Sequence, residues 1–114
     1  MQGKRLDRVN QLIKEEISTL LQRELKDPRL GFVTVTEVET SKDLRQAKVF
    51  VSVLGDEAQW KASMTALESA RGFVRNWLRH NLDLRVTPEI DFRADHSMEH
   101  AARIQNLLKK VQDR

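Results

Sequence analysis

A glycine stands inside a helical run, and that placement limits the folds open to this chain more than any other feature. The run is Ser69-Ala70-Arg71-Gly72-Phe73-Val74-Arg75-Asn76-Trp77-Leu78-Arg79-His80. A glycine within a helix costs about 1 kcal/mol relative to alanine, and the chain has only 4 glycines to place. Such a residue either kinks the helix or lets another group approach closely. Beyond it the helix faces separate. At about 100° per residue, Arg71, Arg75 and Arg79 form one stripe with Gly72, Asn76 and His80 beside it, and Phe73, Val74, Trp77 and Leu78 fill the opposite arc. One face is patterned to pack on a core, and the other offers guanidiniums on three successive turns. This basic-faced helix is the expected working surface.

The flanking segments supply the frame. From about Leu6 to Lys26 the apolar residues Leu6, Val9, Leu12, Ile13, Ile17, Leu20 and Leu21 share one arc of a helix. Asp7 is expected near its positive end and Lys26 near its negative end. Asp27-Pro28 should stop it, because the residue before proline is pushed out of the α region. Phe32 to Glu39 is rich in β-branched residues and predicts a strand, with the alternation of Val33 and Val35 slipping before Val38 as at a bulge. Thr40-Ser41-Lys42-Asp43 is turn chemistry, and Gln46 to Leu54 alternates through Ala47, Val49, Val51 and Val53. Together these predict a long hairpin.

Helical spacing resumes from Ala58 to Glu68 through Trp60, Met64 and Leu67 and leads into the glycine. Leu84 to Phe92 predicts a third strand, with Pro88 marking an edge or bulge. A last helix is expected from an N-cap at Ser97, with an apolar stripe of Ala101, Ile104, Leu108 and Val111. The predicted order is α-β-β-α-kink-α-β-α, an α+β domain with helices on one face of a small sheet. Its β-α-α-β portion is the frame of KH-type RNA-binding domains, where the break between helices carries a G-x-x-G loop that clamps a nucleic-acid backbone. No G-x-x-G occurs in this sequence; the break is Ala70-Arg71-Gly72.

Composition narrows the function. At 114 residues, 39% hydrophobic and 32% charged, the chain has the makings of one globular domain with a well-hydrated surface. It has 0 cysteines, which excludes disulfides and cysteine-based metal or nucleophilic chemistry. No signal-like h-region and no membrane-spanning run is present, so a soluble cytosolic protein is expected. The net charge of +3 is unevenly spread: Arg71, Arg75, Arg79 and Arg85 face only Asp83 in their stretch. By charge alone a nucleic-acid surface and a merely solubilising one are equally supported.

Four segments in order carry a resemblance that spans essentially the whole chain. They are Arg8-Val9 with Glu24-Leu25-Lys26-Asp27-Pro28-Arg29-Leu30-Gly31; Val33-Thr34-Val35-Thr36-Glu37-Val38 through Ser41-Lys42-Asp43-Leu44-Arg45-Gln46-Ala47-Lys48-Val49; Ala70-Arg71-Gly72-Phe73-Val74-Arg75; and Arg85-Val86-Thr87-Pro88-Glu89 with Phe92, Asp95 and Ser97. These resemble the ribosome-binding factor A family. The resemblance implies a type II KH-like fold with an Ala-x-Gly kink at Ala70 and Gly72 in place of G-x-x-G. A single domain over residues 1–114 would carry a final helix over about 97–111. It further implies a cytoplasmic monomer that binds the free or immature small (30S) ribosomal subunit, assists late maturation and 16S rRNA processing, and catalyses nothing. The implied partners are that subunit and 16S rRNA, with no membrane, small-molecule substrate, cofactor or metal. The chain stops at Arg114, where some relatives carry a longer polar tail, so no role of that tail is carried over.

The residues expected to touch rRNA are Arg71, Gly72, Arg75, Arg79, Lys42, Arg45 and Arg85. Arginine stripes position a protein on phosphates and carry little sequence information. Arg5 and Arg8 either reach RNA or decorate the first helix, and Lys109 and Lys110 answer the dipole of the last. Trp60 and Trp77 are expected in the core. His96-Ser97-Met98-Glu99-His100 has the letters of the H-x-x-E-H zinc-protease pattern, but a Ser97 cap would leave His96 outside the helix and the two imidazoles on no common face. An adaptor that recruits a protein partner through the hairpin turn or the final helix is the competing function class.

Overall fold

Seven elements follow one another in a computed structural model that describes residues 2–112. They are α1 (Gln2–Arg23), β1 (Phe32–Thr40), β2 (Gln46–Leu54), α2 (Glu57–Ser69), α3 (Arg71–Asn81), β3 (Glu89–Ala94) and α4 (Ser97–Gln112). The strands form one mixed sheet in the order β1-β2-β3, with β1 antiparallel and β3 parallel to the central β2. The alternation read from β2 holds: Ala47, Val49, Val51 and Val53 are buried, while Lys48 and Leu54 on the other face are exposed. Helices α1, α2 and α3 cover the buried face, closing a core of Ile13, Ile17, Leu20, Leu67, Val74 and Leu78 against the sheet valines, Ile90 and Phe92.

Thr36 is the extra residue of a bulge between Val35 and Glu37, which resets the strand's phase so that Val35 and Val38 are both buried. The bulge frees the Thr36 hydroxyl to donate to Asp95 Oδ2 at 2.7 Å. That bond, with those from Ser97, holds the Asp95 carboxyl below the usual carboxylate range. Asp56 caps α2 reciprocally with Gln59: its carboxylate accepts from the Gln59 amide at 2.9 Å, and the Gln59 side chain accepts from the Asp56 amide at 2.8 Å. The preceding Gly55 adopts φ 146, where only glycine fits without strain.

Three elements differ from expectation at their boundaries. Helix α1 starts earlier and ends at Arg23, because the Glu24 and Leu25 amides both close on the Leu20 carbonyl at 2.9 Å. Asp7 therefore lies beyond the first turn and Lys26 outside the helix, and Arg23 is the cation in the last turn. Asp27 instead builds the turn that follows: it accepts from the Arg29 guanidinium and, second, from the Arg29 amide, which lower its carboxyl pKa to about 2. The third strand begins at Glu89, not Leu84. Its ladder partner β2 begins only at Gln46, opposite Glu89, and buried Pro88 has no amide to extend the pairing. Residues 82–88 are consequently a loop.

The third difference concerns α4. Ser97 is its first helical residue rather than its cap: the Ser97 amide donates to Asp95 Oδ1 at 2.9 Å, and the His96 carbonyl accepts from the His100 amide at 3.0 Å. Trp60 anchors this end through an indole N–H bond to Glu99 Oε1 at 2.7 Å and a ring contact with His96 at 4.1 Å. The stripe beyond is exposed, with Leu108 at 58% and Val111 at 70%. Lys109 and Lys110 occupy the last turn, as their dipole role requires. Asp113 and Arg114 lie outside the described residues.

Candidate nucleic-acid interface

The expected stripe lies on α3, and its three arginines have different surroundings. Helix α2 ends at Ser69 and α3 begins at Arg71; between them Ala70 takes φ −91 and ψ 0, a bridge conformation. Arg71 reaches back across this break to Glu68 at 3.0 Å. Arg75 is half-buried, and its guanidinium donates to the Thr87 carbonyl at 3.2 and 3.4 Å, which ties α3 to the loop before β3. Arg79 is exposed and joins no ion pair among the described residues. The stripe thus holds one exposed cation free of an ion pair, one paired at the surface and one committed to the fold.

Gly72 falls in the first turn of α3, and a Cβ there would meet nothing within 4 Å. Protein packing therefore does not explain this glycine. Phe73, assigned to the core arc by its spacing, is 51% exposed; the buried arc is carried by Val74 and Leu78. Trp77 is half-buried beside the core, and its indole N–H donates to Glu16 at 2.8 Å, fastening α3 to α1. Trp60 is buried as expected. His96 and Glu99 of the zinc-like motif are occupied with Trp60 and with each other, at 3.3 Å. Among the described residues no group of three or more His, Cys, Asp or Glu is placed to hold a metal ion. None of the described helices is long and apolar enough to cross a membrane.

The remaining predicted contacts lie at the hairpin-turn end of the sheet. Parallel pairing starts β3 beside the beginning of β2, so the α3–β3 loop must arrive next to the β1–β2 turn. The Glu89 amide donates to the Arg45 carbonyl at 2.8 Å and pins the two together. Asn10 of α1 accepts from the Thr40 amide at 2.9 Å, which brings the start of α1 to the same place. Lys42 and Arg85 consequently line one notch of about 270 Å3, and Arg5 joins them. Arg45 is exposed beside this notch but does not line it. Sequence alone leaves Arg5 undecided, because nothing in the pattern reveals that β3 runs parallel to β2.

This combination of a break between two helices, a basic α3 and a parallel third strand can be compared with known proteins. The family model described as ribosome-binding factor A matches residues 5–108. The chain belongs to the ribosome-binding factor A family. Ribosome-binding factor A of Halothermothrix orenii is 52% identical over 113 residues, covering 99% of this chain and 93% of that one. The crystal structure of ribosome-binding factor A from Thermus thermophilus superposes with a TM-score of 0.70 at 26% identity, over 78% of this chain and 94% of that one. A homology model of the Thermus thermophilus factor, fitted into the cryo-EM map of its complex with the 30S subunit, gives a TM-score of 0.65 at 26% identity, over 76% and 91% of the two chains. The four helices and three-stranded sheet described above are thus those of a ribosome-binding factor A.

Proposed function

We propose that this protein binds the small (30S) ribosomal subunit, free or immature, and assists its late maturation and 16S rRNA processing through rRNA contact, without catalysis. In this reading it acts as a cytoplasmic monomer, a single KH-like domain over residues 1–114. The Ala70-Arg71-Gly72 break stands where a type II KH domain would hold its G-x-x-G loop. The observation that carries the proposal is the structural likeness to a relative placed in a 30S complex. Support comes from the exposed cations, since Arg79, Lys42 and Arg85 join no ion pair among the described residues. Cations left unspent by the fold are those free to replace counterions on phosphate.

The test is co-sedimentation with purified small subunits across a salt series. Arg71→Glu with Arg79→Glu should weaken binding about tenfold or more and flatten the salt dependence, by roughly one unit of slope per lost phosphate contact. Circular dichroism should not change, because neither side chain is buried. Full retention of binding would remove α3 from the interface. Failure of the unmodified chain to sediment with the subunit would sink the function itself. The adaptor reading draws support from the exposed apolar side chains of α4. Nuclease treatment separates the two, because an adaptor's complex survives it.

A further inference from the structure

The notch at the hairpin-turn end has a composition that a plain electrostatic patch does not need. Its cations come from three separate elements: Arg5 from α1, Lys42 from the β1–β2 turn and Arg85 from the α3–β3 loop. Between them lie the apolar side chains of Leu6, Leu44 and Val86. Asp43 also lines the notch, but its Oδ1 accepts from the Ser41 hydroxyl at 2.6 Å and the Arg45 amide at 3.1 Å. Its charge is thereby committed to shaping the turn, and three cations face this one carboxylate.

Leu44 adds an independent observation. It is the one non-glycine residue among those described with positive φ, at 62. A leucine in the left-handed region is strained, and asparagine or glycine would occupy that turn position more comfortably. The leucine side chain is partly buried but is not part of the core cluster. What the strained backbone does achieve is to set an aliphatic group among three cations. Strain of this kind is concentrated where ligands are held.

We infer that this notch holds one unstacked nucleotide of a single-stranded RNA segment, its base against Leu6, Leu44 and Val86 and its flanking phosphates on Arg5, Lys42 and Arg85. The inference rests on the rRNA-binding reading and gives it a ligand class. At about 270 Å3 the space lies just below the range of roughly 300–1,000 Å3 for drug-sized ligands, enough for a base and too small for a duplex. Sequence-tolerant recognition of single strands combines a cationic track with side chains that take the face of the base, usually aromatic ones; here the aliphatic Leu6, Leu44 and Val86 fill that place. An acidic peptide would use the cations and leave the apolar lining idle, which favours RNA. Single-strand gripping, which the missing G-x-x-G takes from the break between α2 and α3, is thereby moved from that break to the notch.

The experiment uses the full chain with a fluorescein-labelled hexa-adenylate, the same oligomer made abasic at its centre, an RNA duplex and a hexaglutamate peptide, all read by anisotropy. The intact single strand should bind most tightly. Leu44→Gly combined with Val86→Ser keeps every charge and relieves the strained turn; it should weaken the intact oligomer about fivefold or more and leave the abasic one unchanged. Lys42→Glu with Arg85→Glu should weaken both. Equal binding of the intact oligomer by the Leu44→Gly, Val86→Ser variant, equally tight duplex or peptide binding, or no binding of the single strand would each overturn the inference. Co-sedimentation of the unmodified chain with small subunits is scored in parallel, so that loss of the rRNA-binding reading is recognised separately from loss of the notch.

Discussion

A methyl group at Gly72 would occupy open space, and α3 holds the residue in a helical conformation. Alanine there narrows the unfolded ensemble without a clash, so Gly72→Ala is expected to stabilise the protein by about 0.4–1 kcal/mol. Differential scanning calorimetry should show a rise of a few degrees in the melting midpoint, and a fall would mean that the helix needs glycine here. If an RNA backbone packs on this surface, the same variant gains stability and loses subunit affinity. The two measurements therefore separate a glycine kept for folding from one kept for contact. Arg75 shows what residue spacing conceals. Its place on the stripe was legible from the i, i+4 interval, but its engagement with the Thr87 carbonyl was not. That carbonyl is available because the segment before Pro88 leaves the sheet ladder, a fact of tertiary pairing.

Among the elements, the hairpin was the most legible, since alternation in β2 and the phase slip before Val38 are properties of the pattern itself. The end of α1 and the start of β3 were less so. In both places a backbone amide or carbonyl finds its partner outside the local window. Helix α4 is a different case: its stripe was read correctly from spacing, and the structure leaves it uncovered. Ile104→Ser with Leu108→Ser should then shift the urea midpoint by no more than surface substitutions do, within about 0.5 kcal/mol. Leu78→Ala, in the core, should cost about 2–5 kcal/mol by comparison. A loss of that size from the α4 pair would mean that the stripe packs against the body. The start of α4 is held independently of the stripe, by Trp60 through Glu99 and His96.

At the scale of the molecule, the hairpin-turn end gathers Arg5, Lys42 and Arg85, while the exposed pair Phe32 and Leu54 marks the opposite end of the same two strands. The sequence supplied these charges and apolar groups but not their sorting, which depends on the parallel register of Gln46 with Glu89. That register also sets an order in time. The hairpin closes a short loop, whereas β3 pairs only after the chain from Gln46 to Glu89 has folded back, an entropically slower step. Ile90→Ala should accordingly act mainly on the unfolding rate in stopped-flow measurements, and Val51→Ala should slow folding more. A folding-rate effect at Ile90 as large as its stability effect would reverse that order. Late arrival of β3 has a consequence during synthesis. A chain still emerging from a ribosome can close its hairpin before Glu89 has been added, so the Arg45–Glu89 bond, and with it the gathering of Arg5, Lys42 and Arg85 at that end, comes after the hairpin.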